Sequence, residues 1–149
     1  MERADWLLLY LGLPTDENVP PKPLDPIRVM KGMFLFVQEG GDEAAGLYFF
    51  EPYHYGPCSF DVYGDLDELQ AQGLIETEAS PGATWSLYRL TPDGVERFGR
   101  LLKTAPPRLV DRLRQAKAFV LARTFLQLLR DVYRKYPEFS VNSIVTLPR

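Results

Sequence analysis

Cysteine and histidine are nearly missing from this 149-residue chain, which holds one of each, Cys58 and His54. A single cysteine excludes an internal disulfide and fits a reducing cytosol. One Cys and one His also fall short of the four N or S ligands that a structural zinc site needs. Long hydrophobic runs are lacking, and no apolar stretch approaches the ~20 residues that span a membrane. Trp6 to Leu11 is apolar, but acidic residues flank it and Pro14-Thr15-Asp16-Glu17 follows without a small-x-small cleavage site, so it does not read as a signal peptide. Glycine-rich phosphate loops are absent, since Gly40-Gly41 and Gly46 match neither nucleotide fingerprint. Cations are scarce early in the chain: only Arg3, Lys22, Arg28 and Lys31 precede Arg89. These absences lead us to expect a cytoplasmic protein with no membrane segment, no metal and no cofactor.

What is present is an ordinary globular composition, 46% hydrophobic and 25% charged, enough for one domain with a proper core. The net charge of −3 hides a division. Residues 1–86 hold four basic and fifteen acidic side chains, a balance of −11, while residues 87–149 hold thirteen basic and five acidic, a balance of +8. Such a division gives either a surface with one acidic and one basic face, or two halves that pair with each other in the fold.

Trp6 to Leu11 reads as a short first helix, and Pro14, Pro20, Pro21 and Pro23 mark a linker. Asp25 caps a second helix with Pro26 at its first position, where a missing N–H is harmless. Ile27, Met30, Phe34 and Val37 recur along it at helical spacing, and Gly40-Gly41 stops it. Gly46 to Tyr55 is aromatic and extended, either a strand against a later hairpin or an irregular cover of the core. It breaks at Gly56-Pro57, and Ser59 caps a helix with Val62, Leu66 and Leu69 as its buried stripe. Gly73 ends that helix. The β runs Leu74 to Glu78 and Thr84 to Leu90 follow around the turn Ser80-Pro81-Gly82. Thr91-Pro92 opens a helix with Val95, Phe98, Leu101 and Leu102 inside. Pro107 to Tyr136 is helical, but a continuous helix would be roughly 45 Å long, so a break is expected between Val120 and Thr124, with Thr124 capping the second piece.

Helix, short hairpin, helix is the order of a winged helix-turn-helix. The expected fold is therefore α+β and mostly helical: a winged helix-turn-helix with a short β-hairpin wing and a helical C-terminal extension. Within one domain, residues 1–24 are the N-terminal helix and Pro-rich linker, 25–104 the winged-helix core, and 105–149 the C-terminal helices.

The segment EPYHYGPCSFDVYGDLDELQAQGLIE resembles the core signature of the YwgA-like bacterial and archaeal proteins, with an aromatic run, a Tyr-Gly-Pro turn, a Ser cap, an acidic helix and Gly-Leu-Ile. The ending Val132-Tyr133-Arg134-Lys135-Tyr136-Pro137-Glu138-Phe139 with Asn142-Ser143 is similar to theirs too. A more distant likeness is to the SocA-like Panacea antitoxin domain, which has a similar Tyr-Gly-Pro turn. The resemblance implies a winged helix and, on the antitoxin side, neutralisation or delivery of a protein partner. It implies no enzyme. The chain departs from the pattern at His54 and Cys58, where an acidic and an aromatic residue are more typical.

His54 and Cys58 lie four apart, a spacing that shares a face only in a helix, and Gly56-Pro57 rules a helix out. A Cys–His nucleophile therefore lacks its geometry, and no catalytic residue is expected. Tyr48, Phe49, Phe50, Tyr53 and Tyr55 suit a base-stacking platform in type, but such platforms sit in basic grooves, so core and sheet face is the stronger reading.

The helix behind Ser59, which would read DNA in a winged helix, carries Asp61, Asp65, Asp67 and Glu68 and no Lys or Arg. Like charge disfavours its entry into a phosphate-lined groove. Hence the first functional expectation is a non-enzymatic, antitoxin- or adaptor-like regulatory module that binds a protein partner through Tyr53, Tyr55, Asp61, Asp65 and Glu68. The alternative is a DNA-binding transcriptional regulator, contacting phosphates through Arg97, Arg100, Lys103, Arg108, Arg112, Arg114 and Lys117. Because Phe119 to Tyr136 is apolar on more than one side, a homodimer through that region is also expected.

Overall fold

The computed structural model describes residues 1–79, 82, 85–145 and 147. Among them are seven α-helices and two separate two-stranded antiparallel hairpins, a mostly helical α+β architecture. No helix among the described residues is long and apolar enough to cross a membrane.

Helix α1 (Arg3–Gly12) is apolar all round and accordingly buried from Trp6 to Gly12. It begins a turn earlier than expected because the Asp5 carboxylate accepts from the Glu2 N–H at 2.9 Å. Helix α2 (Pro26–Glu39) starts as read, with Asp25 Oδ1 accepting from the Arg28 N–H at 2.9 Å. The two helices meet at Gly32, where an added Cβ would lie 1.7 Å from the Tyr10 hydroxyl. Arg28 reaches a segment remote in sequence, at the end of a helix packed on α2. Its Nε donates to Val120 O and its Nη2 to Arg123 O, so it satisfies carbonyls where a later helix ends.

After the one-turn helix α3 (Asp42–Ala45), the aromatic run behaves differently from expectation. It pairs neither with the later hairpin nor breaks at Gly56-Pro57. Instead β1 (Glu51–Tyr53) turns back at His54-Tyr55 onto β2 (Gly56–Cys58), with Tyr53 opposite Gly56. Gly56 makes the reversal feasible with φ of +93°, and Pro57 is tolerated because a two-stranded ribbon has only edge strands.

Helix α4 (Phe60–Ala71) buries Val62, Leu66 and Leu69 as read. Ser59 stands at its N-cap position but makes no side-chain cap; it is buried, and its N–H points at Met30 Sδ. The second hairpin joins β3 (Ile75–Glu78) to β4 (Leu87–Leu90), Ile75 opposite Leu90. Leu24 adds an antiparallel bridge to Tyr88, with N–H donors in both directions at 3.0 and 2.8 Å. Of the turn Ser80-Pro81-Gly82 and the run from Thr84, residues 80, 81, 83 and 84 lie outside the described residues.

Helix α5 (Pro92–Thr104) is capped by Thr91, which accepts from the Gly94 N–H at 3.0 Å. Its inner face is half of the one expected: Phe98 and Leu101 pack half-buried on the core, but Val95 and Leu102 face outward. Gly94 sets the phase, since a Cβ there would lie 1.9 Å from Leu74 O, and the inner line therefore runs Gly94, Phe98, Leu101, Ala105. Helix α6 (Pro107–Leu121) and helix α7 (Phe125–Lys135) are separated where the break was expected, with Thr124 and Gln127 closing a capping box.

The apolar C-terminal stripe is largely covered by the chain itself. Val120, Leu128, Leu129 and Val132 are buried, and Tyr136 and Phe139 (in a 3-10 turn, Pro137–Ser140) pack edge-on around the Phe34 ring at 5.0 and 4.7 Å. Phe119 is half-buried beneath the Arg123 guanidinium, 3.4 Å from its ring centre, whereas Leu126 is 52% exposed. The surface from which a homodimer was expected is thus reduced mainly to Leu126.

Candidate functional site

Four carboxylates on α4 divide into one that is internal and three that are presented. Asp65 accepts from Arg3 Nε at 2.8 Å, Arg3 Nη2 at 3.0 Å and the Tyr48 hydroxyl at 2.5 Å. Burial and this carboxylate contact push the Tyr48 hydroxyl pKa well above its ordinary range. With all these donors, Asp65 ties α1 to α4 and is withdrawn from the partner-facing set in which the sequence placed it. Asp61, 3.5 Å from Arg3 Nη1, remains exposed, as do Asp67 and Glu68. Those three share the outward side of α4 with Gly64, which is also exposed, and with Phe60, 59% exposed at the first helical position.

Phe60 continues into the β1–β2 tip. Its ring meets Tyr53 edge-on at 5.4 Å, and Tyr53 stacks on His54 at 4.3 Å and 7°. Tyr55 turns the other way and packs between Trp85 at 6.1 Å and Phe125 at 5.7 Å. One hairpin tip thereby gathers the tip of the second hairpin and the start of α7. The tail fastens it, with Ile144 N–H donating to His54 O at 2.9 Å and Asn142 Nδ2 to Pro52 O at 3.1 Å. Tyr48 and Phe50 are core as read, but Phe49 and Tyr53 point outward. Phe60 carries no sequence signal of its own, since it directly follows Ser59 and lies off the Val62, Leu66 and Leu69 stripe.

Behind the tip is a cavity of about 140 Å³ lined by Ile27, Met30, Lys31, Tyr53, His54, Tyr55, Gly56, Cys58 and Tyr63. The hairpin brings His54 and Cys58 to one cavity, which their spacing alone did not suggest. No hydrogen bond joins them among the described residues, and burial pushes the Cys58 thiol pKa up, away from a nucleophilic thiolate. Lys31 is 2% exposed and donates to Pro57 O at 3.1 Å. Burial lowers its pKa to about 8.

The basic set is mostly engaged. Arg97 pairs with Asp5, Arg100 with Glu96, Arg108 with Glu43 and Arg114 with Asp111. Arg112 donates only to Gln115, and Lys103 has no ion pair among the described residues. Lys117 overturns its expected role as a phosphate contact. It is 0% exposed, and its Nζ donates to Leu11 O and Leu13 O at 2.8 Å, closing the end of α1. Burial lowers its pKa to about 7. A signal for both buried lysines was present: Lys31 stands four after Ile27 and three before Phe34, and Lys117 four after Leu113 and three before Val120. Each interrupts an apolar stripe at helical spacing.

The two charge halves do pair with each other. Arg89 reaches Glu76 and Glu78 across the second hairpin, Arg97 reaches Asp5, Arg108 reaches Glu43, and Lys135 reaches Glu39. What remains presented is an acidic, aromatic face on α4 and the β1–β2 tip, where Asp61 touches Arg3 and Asp67 and Glu68 have no ion pair among the described residues. No family model matches the chain, and no curated protein matches it.

Proposed function

We propose that this protein is a non-enzymatic, cytoplasmic winged-helix regulatory module that works by binding another protein. Topology supports the winged-helix part. The order α1, Leu24 bridge, α2, α4, β3, β4 matches helix, short strand, helix, helix, wing, with the single-residue Leu24–Tyr88 bridge beside the two-stranded wing where a winged helix has its third strand. In that reading α3 and the β1–β2 hairpin are an insertion ahead of the recognition helix.

The observation that carries the functional part is the outward face of α4: Phe60, Asp61, Asp67 and Glu68 exposed, with no cation on the helix. Exposed aromatics supply anchoring area at low entropic cost, and carboxylates around them steer a basic partner segment. The partner is therefore a protein presenting an apolar anchor flanked by Lys or Arg. Phosphate binding is the weaker reading because four of the seven candidate cations are ion-paired and Lys117 is buried.

Two measurements test this. Random-sequence duplex DNA, titrated at low salt, should not be retarded; a salt-sensitive complex would replace the proposal with the DNA-binding one. Binding to a basic, Trp-bearing peptide library should be lost in Phe60→Ala/Asp61→Lys while the melting temperature is retained. Equal binding by that variant would remove α4 as the interface.

A further inference from the structure

Lys31 is a buried cation without a counter-ion. An ammonium carries three N–H donors and no acceptor, and Pro57 O takes one of them. No carboxylate pairs with it among the described residues. The Pro57 contact holds Nζ beside Gly56 and Cys58, and both of these line the cavity together with Lys31 itself. Around this charge the walls are apolar or aromatic: Ile27 and Met30 from α2, Tyr63 from α4, Tyr53 and Tyr55 from the hairpin. The space, about 140 Å³ and open to solvent on one side, is close to the roughly 150 Å³ volume that accepts a benzene-sized molecule.

We propose that this cavity binds a small organic anion, a monocarboxylate with an apolar or aromatic body, whose carboxylate meets Lys31 Nζ and whose body lies against Met30, Tyr63 and Tyr53. The pairing follows from what each part lacks. A buried charge needs a partner of opposite sign and filled donors, which a carboxylate supplies with two oxygens. An inorganic anion leaves the apolar walls without contacts, and a neutral aromatic leaves the ammonium unpaired. A second carboxylate on the ligand would have no further lysine or arginine lining the cavity to meet it. Tyr53 and His54 line the cavity and also reach solvent, which gives a route in. The cavity shares Tyr53 and His54 with the tip beside the interaction surface, but neither its ligand nor its test depends on a protein partner.

Benzoate is the probe, titrated into the full chain by calorimetry and by the amide shifts of residues 53–56 and 58, with benzyl alcohol and phosphate as the neutral and inorganic comparisons. Benzoate should bind saturably and roughly tenfold or more tighter than either, the worth of one charge-assisted contact. Lys31→Met should abolish that preference. Should the variant fail to fold, the wild type at rising pH decides. Lys31 loses its proton near its pKa of about 8 while benzoate stays ionised, so affinity should fall through that range. The groups facing Lys31 there are Cys58 of β2, Tyr63 of α4, Tyr53 and His54 of the tip and Asp25 at the start of α2. No benzoate binding, equal binding by Lys31→Met, phosphate binding as tight as benzoate, or an affinity flat with pH would each overturn the proposal.

Discussion

At Lys117, two carbonyl acceptors meet a group that has two N–H donors when neutral and three when charged. The neutral amine therefore loses no hydrogen bond, and burial lowers the folded pKa to about 7 from an ordinary 10.5. Between those values the unfolded chain binds the extra proton, so stability rises with pH there, by at most about 1.4 kcal/mol per pH unit for each such group. Lys31, lowered to about 8, adds to the same rise. The buried phenols act oppositely. Tyr63 is raised to about 12, and burial raises Tyr10 and Tyr48 well above their ordinary range as well, so unfolded tyrosines ionise first and stability falls above about pH 10. Denaturant midpoints should climb by about 3 kcal/mol equivalent from about pH 7 to 9 and turn over near about pH 10. Lys117→Met should flatten the climb, and a wild-type profile already flat there would contradict the account. Cys58, buried and with its thiol pKa raised, should react with iodoacetamide at a small fraction of the rate of the unfolded chain; equal rates would show an open site.

Among the elements, the β1–β2 hairpin depends on one conformation. Gly56 has φ of +93°, and an added Cβ would lie 2.7 Å from the Tyr133 ring. Gly56→Ala combines left-handed strain with that clash and should destabilise by about 1–3 kcal/mol. An unchanged melting temperature would show that the turn relaxes freely. The hairpin was also where sequence reading faltered. Side-chain caps are local, so Asp25, Thr91 and Thr124 were legible from a few residues each. A reversal at His54-Tyr55 was not, because Gly-Pro is the stronger break signal and the pairing of Tyr53 with Gly56 is set by contacts to α7. The face of α5 was half misread for a related reason: its phase is set by Gly94, a residue with no side chain to count. Of the candidate site, Asp61 and Glu68 were legible as exposed residues, whereas the hairpin tip that turns Tyr53 outward and Tyr55 onto Trp85 and Phe125 was not. Asp65 was not, since its partners Arg3 and Tyr48 are remote in sequence.

For the whole molecule, part of the division of charge joins its two halves, and the rest is paired within each half or left exposed. Arg89, Arg97, Arg108 and Lys135 all reach carboxylates of the first 86 residues. These pairs are exposed and individually worth little, but they leave few cations for an outside partner. Sedimentation at micromolar concentration should give one species of 17.0 kDa, unaltered by Leu126→Ser, because the stripe from Phe119 to Tyr136 is mostly covered from within. A dimer dispersed by that substitution would make α7 its interface. The packing also gives the chain two unequal optical probes, its only tryptophans. Trp6 is buried against Phe36, 5.6 Å between rings, while Trp85 stands at the aromatic tip, 37% exposed. Acrylamide should therefore quench a red-shifted half of the emission and spare a blue-shifted half. Anything that settles on the tip should shield the first without disturbing the second, so the protein reports occupancy and folding in separate colours.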